Sequence, residues 1–361
     1  MNSPASSSRP DRVDLVVLGA TGYVGGEALR LGAEHPRLHL AAAVSGSSAG
    51  APIAGTFPHL DRALAGRDFA APGEWITSLE GDAPVAVVSA LPHGASAKTL
   101  AETIAALEAR GREVFVCDLA ADFRLDSPAA FAEVYGQPHG APEIAGRFLC
   151  APPDLVAGPA PDLAAHPGCF TTAVTLGAAP IVASGLVESR LVASCVTGST
   201  GSGRTPGPKT HHPERHGEMR AYSPLAHRHR FEMEAILGRE GAGPCEVAFL
   251  PHSGPFARGI HATLAFRLRP EASVADAEAA LRARWEGSPF VTVTDEPPRL
   301  KDVTGTNRAA VAVAGRGRDL VVFSVIDNLL KGAAGGAIQW INRRFGFDEA
   351  LGLDRPAPPW M

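Results

Sequence analysis

The chain predicts an α/β fold class: a doubly wound parallel sheet with a second domain behind it. Three observations carry that reading. A strand, a glycine turn, a helix and a second strand follow one another in VDLVVLGATGYVGGEALRLGAEHPRLHLAAAVS. The alternation continues through APVAVVSALPHGASAKTLAETIAALEARG and EVFVCDLAADFRL, and strands alternating with helices build parallel sheets. The 361 residues exceed what one ordinary hydrophobic core holds, so two domains are expected.

The elements follow in order. MNSPASSSRPDR, residues 1–12, is polar with no apolar core segment, so it reads as a disordered lead-in and not as a secretory signal. Val13–Leu18 is a short β-branched run, as a buried parallel strand requires. The loop GATGYVG comes next, with Gly19, Gly22 and Gly25 at G-x-x-G-x-x-G spacing around Thr21, Tyr23 and Val24. A helix is expected over Glu27–Glu34, then the strand LHLAAAVS. Glycines let the backbone approach a pyrophosphate, and a helix N-terminus offers free N–H groups and the positive end of its dipole. The competing reading is a tight turn in an unrelated α/β fold.

The end of the second strand selects the dinucleotide. NAD sites usually place an acid there to hold the ribose 2′-OH. Val44–Gly50 reads VSGSSAG, with Ser45, Ser47 and Ser48 and no carboxylate. An acid repels a 2′-phosphate and hydroxyls accept one, so NADP is expected. A third strand at Val85–Ala90 ends in ALPHGAS, where such sheets bind ligands, which puts Leu91, Pro92 and His93 against the cofactor. His93 reads equally as a loop residue that caps the helix starting near Ala95. Another strand ends at Asp118.

Composition narrows the function classes. A net charge of −5 does not fit a nucleic-acid footprint, and the apolar runs are too short or too interrupted to span a membrane. The five cysteines, Cys117, Cys150, Cys169, Cys195 and Cys245, have no CxxC spacing, so neither a zinc knuckle nor a disulfide framework is expected. A reducing cytoplasm fits them. Cys117 and Cys195 lie in strand patterns and read as core. Cys169 differs: in AAHPGCFTTAVTLGAAP it follows Pro-Gly and opens an apolar helix, where the dipole and free N–H groups favour a thiolate. His227 and His229 stand at the start of another helix as proton-transfer partners. His211, His212 and His216 lie in a Pro/Gly-rich loop and read as structural or substrate-binding. HPERH is not the HExxH order of a zinc enzyme and Pro213 interrupts it, so no metal is expected. Glu232 and Glu234 read as surface carboxylates of an amphipathic helix, with the orienting of a histidine as the alternative.

The segments GATGYVG, LPHGAS, AADFRL, HPGCFTTA, TGSTGSGR, AYSPLAHRH, RGIHAT, GTN and IDNLLKGAAGGAIQ occur in this order from about residue 13 to about residue 353. Together they resemble the N-acetyl-γ-glutamyl-phosphate reductases of arginine biosynthesis, within the aspartate-semialdehyde dehydrogenase superfamily. The resemblance implies a Rossmann-type NADP-binding domain over 13–168, completed by a C-terminal helix within 329–361. It implies an α+β catalytic and dimerisation domain over 169–328 and a homodimer or homotetramer. Cys169 takes the nucleophile's position and His227 the acid–base position. Gly19, Thr21, Gly22, Tyr23, Val24, Gly25, Ser199, Gly201 and Asn328 fall on the cofactor. The implied reaction is a phosphorylating aldehyde dehydrogenase type run as a reduction: an acyl phosphate is attacked by the thiolate, phosphate leaves, and NADPH reduces the thioester to an aldehyde. A substrate carboxylate and phosphate need cations, and Arg204, Arg258, Arg220 and His229 are the candidates, each Arg reading alternatively as a solvated side chain.

Two features depart from the family pattern. HGAPE stands at His139–Glu143 where the family often has YGLPE, and TPGPKTHHPERHGEM follows GSGR. The second is closer to the related reductases of aminoadipyl or glutamyl phosphate carried on an acidic protein. Arg204–Arg220 therefore reads as a cover over a small anionic substrate, as a docking patch for such a carrier, or as a connector. Other rivals are an aspartyl-phosphate dehydrogenase, a cysteine hydrolase and a non-catalytic NADP sensor.

Overall fold

The computed structural model describes residues 9–241 and 243–358. Residues 1–8 of the expected lead-in and 359–361 of the C-terminal segment lie outside the described part.

The first sheet is built from β1 (Val13–Leu18), β2 (Leu38–Val44), β3 (Val85–Ser89), β4 (Val114–Asp118), β5 (Leu149–Cys150) and β6 (Leu163–Ala165). Its order is β2-β1-β3-β4-β6-β5, and every pair is parallel. β1 and β3 are wholly buried, which is why they read as unbroken apolar runs. The strand order reverses between β1 and β3, and such a switch point opens a crevice at the carboxyl ends of the strands. Helix α1 (Tyr23–Glu34) starts one turn earlier than Glu27, because Gly22 is already its extended N-cap. Helix α2 (Ser96–Ala109) follows β3.

The second sheet contains β7 (Arg190–Thr197), β8 (Arg220–Ala221), β9 (Glu246–Ser253), β10 (Ile260–Arg267), β11 (Val291–Val293), β12 (Ala309–Arg316) and β13 (Asp319–Ile326). The order is β11-β12-β13-β10-β7-β9-β8, with mixed parallel and antiparallel pairs. One face packs on α3 (Cys169–Ala183), which also meets α4 (His229–Glu240) and α5 (Val274–Trp285). Helix α3 is apolar nearly all round and buried from Phe170 to Ile181, as a central core helix should be. The opposite face of the sheet carries the half-buried Val196, Leu250, Val321 and Phe323 and the exposed Val192.

After β13 the chain makes a π-helical turn at Leu330–Ala334 and enters α6 (Gly335–Arg344). Ile338, Trp340 and Ile341 of α6 share one core with Leu15, Val17 and Leu29 of the first sheet and α1. The turn and helix are glycine-rich for a steric reason. A Cβ on Gly332 would stand 2.7 Å from that of Cys169, and one on Gly336 would strike the buried His166 ring. This turn therefore backs the start of α3 directly.

Candidate active site

A groove crosses the switch point in three connected cavities. The first, about 730 Å³, is lined by Gly19, Thr21, Gly22, Ser45, Ser47, Leu91 and Pro92. Gly19 adopts φ +70°, and a Cβ there would stand 2.5 Å from the Ala90 carbonyl oxygen, so only glycine fits beside the end of β3. A Cβ on Gly25 would meet the Gly19 oxygen at 2.6 Å. Gly22 is different: an added Cβ would find only Gly19 O at 3.7 Å, leaving its face open to a ligand. The first turn of α1 opens there with no side-chain cap. This backbone cradle fits a dinucleotide pyrophosphate. Ser45 is buried, with its hydroxyl 3.4 Å from that of Ser47 and receiving the Ser48 N–H at 3.2 Å. Glu102 is the one charged side chain among the described residues that line this cavity.

The second cavity, about 270 Å³, continues past Gly22, Tyr23, Val24 and Gly25 to Cys169, with Arg124, Arg204, Gly201 and Asn328 on its walls. Asn328 accepts the Gly259 N–H at 2.7 Å and donates to Thr200 Oγ1 at 3.0 Å, which fixes its amide at the cavity wall. Ser199 sits at the start of the short helical turn Ser199–Ser202 and lines neither this cavity nor the next. The third cavity, about 510 Å³, holds Cys169, His227, His229, Tyr222, Lys209, Arg220 and Arg228. Among the described residues no carboxylate lines it. His93, Cys169, Gly201 and His229 line both the second and the third cavity, so they mark the junction.

Cys169 is the first residue of α3 and is partly exposed, whereas the other four cysteines are buried. Its position is held from α4. Glu232, 1 % exposed, accepts the Gly168 N–H at 2.7 Å and the Thr171 hydroxyl at 3.0 Å. The same carboxylate pairs with buried Arg124 at 3.3 Å. Glu232 is thus a negative cap on the α3 N-terminus supplied by another helix. This corrects the expectation of a surface carboxylate. It touches no histidine ring through a hydrogen bond. The usable signal was its spacing, three residues after His229, which puts both on one face of α4.

The resting sulfur is a thiol. Burial pushes the Cys169 thiol up to about 11, against the lowering effects of Arg124 and of hydrogen bonds from the Phe170 and Cys169 amides. The helix N-terminus acts in the expected direction, but desolvation outweighs it. Both nearby imidazoles are neutral. Burial and Arg228 hold His227 down to about 4, and burial with His227 and Arg124 holds His229 well below its ordinary value. The His229 ring lies against Gly168, where any Cβ would collide with it, and its buried Nδ1 has no partner among the described residues. His227 is one step further out: its Nδ1 accepts the His229 N–H at 3.2 Å, and the two ring centroids are 4.6 Å apart. The preceding loop is strained, with Ser223 at φ +46° and Leu225 at φ +59°.

Two of the expected cations, Arg258 and Arg204, and Arg215 of the loop 204–220 are engaged elsewhere than the sequence suggested. Arg258 is committed to ion pairs, with Asp327 at 3.0 Å and Glu27 of α1 at 2.5 Å, and it lines none of the three cavities. It joins the second sheet to α1 and does not face the substrate space. Arg204 bonds the Thr21 carbonyl at 3.1 Å and stacks over Phe57, so it closes on the cofactor loop. Arg215 is buried and bonds the Glu218 and Gly254 carbonyls, which removes it from any docking surface. Lys209 and Arg220, from the loop 204–220, do line the third cavity. His211, His212 and His216 line none of the three cavities, and no cluster with metal-ligand geometry exists among the described residues.

Comparison with known proteins gives concordant results. Residues 14–151 match the family model "Semialdehyde dehydrogenase, NAD binding domain", and residues 169–328 match "Semialdehyde dehydrogenase, dimerisation domain". The chain is 40 % identical to an N-acetyl-gamma-glutamyl-phosphate reductase of Azotobacter vinelandii, over 94 % of this chain and 98 % of that one. It is 39 % identical to the enzyme of the same name from Acidithiobacillus ferrooxidans, over 93 % and 96 %. Among solved structures it resembles aspartate semialdehyde dehydrogenase II of Vibrio cholerae, with TM-score 0.63, 15 % identity, and coverage of 92 % of this chain and 97 % of that one. The Candida albicans aspartate semialdehyde dehydrogenase, solved with NADP, aligns at TM-score 0.59 and 17 % identity over 92 % and 99 %. At these identities the structural likeness speaks to the fold.

Proposed function

The chain belongs to the semialdehyde dehydrogenase family, among the N-acetyl-γ-glutamyl-phosphate reductases, and we propose on that premise that it reduces N-acetyl-γ-glutamyl phosphate to N-acetylglutamate 5-semialdehyde and phosphate. The observation that carries this reading is the junction itself: a single partly exposed cysteine opens α3 between a dinucleotide groove and a cavity lined by cations and no acids. Such a cavity suits a substrate bearing both a carboxylate and an acyl phosphate.

The chemistry follows from the protonation states. A thiol near 11 beside neutral imidazoles is not a standing ion pair, so the proton leaves as sulfur attacks. His229, against Gly168, is the better placed base, and its backbone N–H fixes the neighbouring His227 ring through Nδ1. The sulfur bonds to the acyl carbon, the C–O bond to phosphate breaks, and the departing phosphate takes its electron pair toward Lys209, Arg220 and Arg228. A thioester remains on Cys169. A nicotinamide cofactor held along the groove by Gly22, Gly25 and Asn328 would supply the hydride. His229 returns the proton as the thiohemiacetal forms, and the thiol is regenerated when the C–S bond breaks and the aldehyde leaves.

NADP is the dinucleotide we assign, because the end of β2 itself offers Ser45 and Ser47 and no carboxylate, the one acid of the cavity, Glu102, coming from α2. Two copies pairing through the outer face of the second sheet would cover Val192, Val196 and Phe323. The five free thiols suit a reducing cytoplasm, and no helix among the described residues is long and apolar enough to cross a membrane.

The test is the reverse reaction with N-acetylglutamate semialdehyde, phosphate and NADP, followed by NADPH absorbance. Turnover is expected. Cys169→Ser should lower it by roughly 10⁴-fold or more while leaving NADPH affinity unchanged. Substantial residual turnover in that variant would remove Cys169 as nucleophile.

A further inference from the structure

The turn after β3 presents one more group to the junction. His93 lines both cavities that meet at Cys169. Its ring is oriented from behind: Nδ1 accepts the Ala121 N–H at 2.9 Å. A nitrogen that accepts carries no proton, so the neutral ring bears its proton on Nε2. The turn around it is held by the segment after β4. Asp122 accepts the Gly94 N–H at 2.9 Å and the Ala97 N–H at 3.0 Å. Asp122 therefore serves the start of α2, and His93 is not needed as its cap. The residue is open to the groove on the side away from Ala121.

A reacting carbonyl oxygen held at the junction needs a donor, and Arg124, whose buried Nε has no partner among the described residues, shares the wall of the second cavity. The amides of Cys169 and Phe170 at the start of α3 act on the thiol, opposing the rise that burial causes. Gly168 N–H is taken by Glu232, and His229 is occupied with proton transfer. We propose that His93 is a catalytic residue, a fixed neutral imidazole whose Nε2–H donates to the oxygen of the reacting carbonyl while tetrahedral species form on Cys169. The proposal rests on the reductase reading given above. Partial burial of the ring at the groove wall, with Arg124 and Arg228 nearby, lowers its pKa to about 4 and favours the neutral form, and the Ala121 N–H on Nδ1 leaves the proton on Nε2. A donor that does not titrate stabilises the oxyanion without exchanging protons with it.

Two substitutions separate this role from a structural one. His93→Asn keeps an acceptor for the Ala121 N–H and loses the Nε2 donor. His93→Gln keeps a donor near the Nε2 position and loses the acceptor. Loss of an oxyanion donor costs on the order of 10²–10³ in kcat. The expected result is that H93N loses at least about 10²-fold in kcat and H93Q stays within about 10-fold of the unaltered enzyme. NADPH affinity and the pH dependence of kcat should be unchanged in both. The reverse order, equal losses, or a wild-type kcat in H93N overturns the proposal. So does a pH limb that disappears in H93N, because that would make His93 the acid–base. If the unaltered enzyme turns over the semialdehyde, these outcomes bear on His93 alone. If it does not, the reductase reading falls and takes this inference with it.

Discussion

The two ends of the groove are built from different materials. At the nucleotide end the walls are backbone and hydroxyls: Gly19, Gly22, Ser45 and Ser47, with Glu102 as the lone charged side chain. At the catalytic end they are ionisable groups: Cys169, His93, His227, His229, Lys209, Arg220 and Arg228, set over the buried Arg124–Glu232 pair. A backbone site is held by steric fit, so its sensitive positions are the glycines whose Cβ has no room. Beneath the other end the buried Arg124–Glu232 pair is held by mutual neutralisation, so removing one member leaves the other uncompensated in low dielectric. The same loss of a side chain should therefore be felt very differently at the two ends.

Glu232→Gln is the strongest test of that contrast. The amide keeps a carbonyl to accept the Gly168 N–H but leaves Arg124, 6 % exposed, without its counter-charge. Breaking a buried pair from one side costs about 3–5 kcal/mol. Reduced denaturant stability by about 3 kcal/mol, with kcat falling and NADPH affinity held, is the expected result. A stability loss under about 1 kcal/mol would mean that the pair is effectively solvated and that the catalytic end is not held by charge.

How much of this was legible in the chain depends on the range of the interaction. The β1–α1–β2 unit was readable because every contact that shapes the glycine loop is local. The one error there, starting α1 at Glu27, came from reading its glycine-rich first turn as loop. Cys169 was readable because Pro-Gly before an apolar run marks a helix start within a few residues. Glu232 was not, since Gly168 and Arg124 reach it across 64 and 108 residues. Arg258 misled for the same reason: its partners Glu27 and Asp327 lie 231 and 69 residues away, and nothing local distinguishes a clamp from a substrate ligand. The tandem glycines of IDNLLKGAAGGAIQ are explained only once Cys169, Asn307 and His166 are seen packed against them. The thiol's direction of shift was also hidden, because helix-end chemistry is local and burial is not.

The nucleotide end supplies an intermediate effect. Ser47 is exposed at the end of β2, so Ser47→Asp introduces a charge without disturbing packing. A carboxylate a few ångströms from a doubly charged phosphate costs about 1–2 kcal/mol in a largely aqueous setting, roughly tenfold. The ratio of kcat/KM for NADPH over NADH should fall by about that factor, with kcat for NADPH little changed. An unaltered ratio would place the 2′-phosphate away from Ser47. A native preference for NADH would reverse the assignment of the β2 end.

Lys209→Met should produce the smallest change, although it removes a full charge from the catalytic end. Lys209 is exposed on the loop over the third cavity, and the Arg220 guanidinium bonds its carbonyl at 3.0 Å. It is one of several cations there, and exposed pairs are worth about 0.2–1 kcal/mol. KM for the free acyl phosphate or, in reverse, for phosphate should rise about 2–5-fold, with kcat unchanged. Raising salt should shrink the difference between variant and parent, because screening already weakens what Lys209 contributes. This outcome contrasts with Glu232 within the same end of the groove: burial, and not charge as such, sets the size of the effect. The measurement also separates the two uses of the loop. A cover over a small substrate predicts efficient turnover of the free metabolite and this modest change in KM. A docking patch for an acidic carrier predicts poor turnover of the free metabolite and a steep salt dependence with the carrier, and the burial of Arg215 already removes one of the charges such a patch would use.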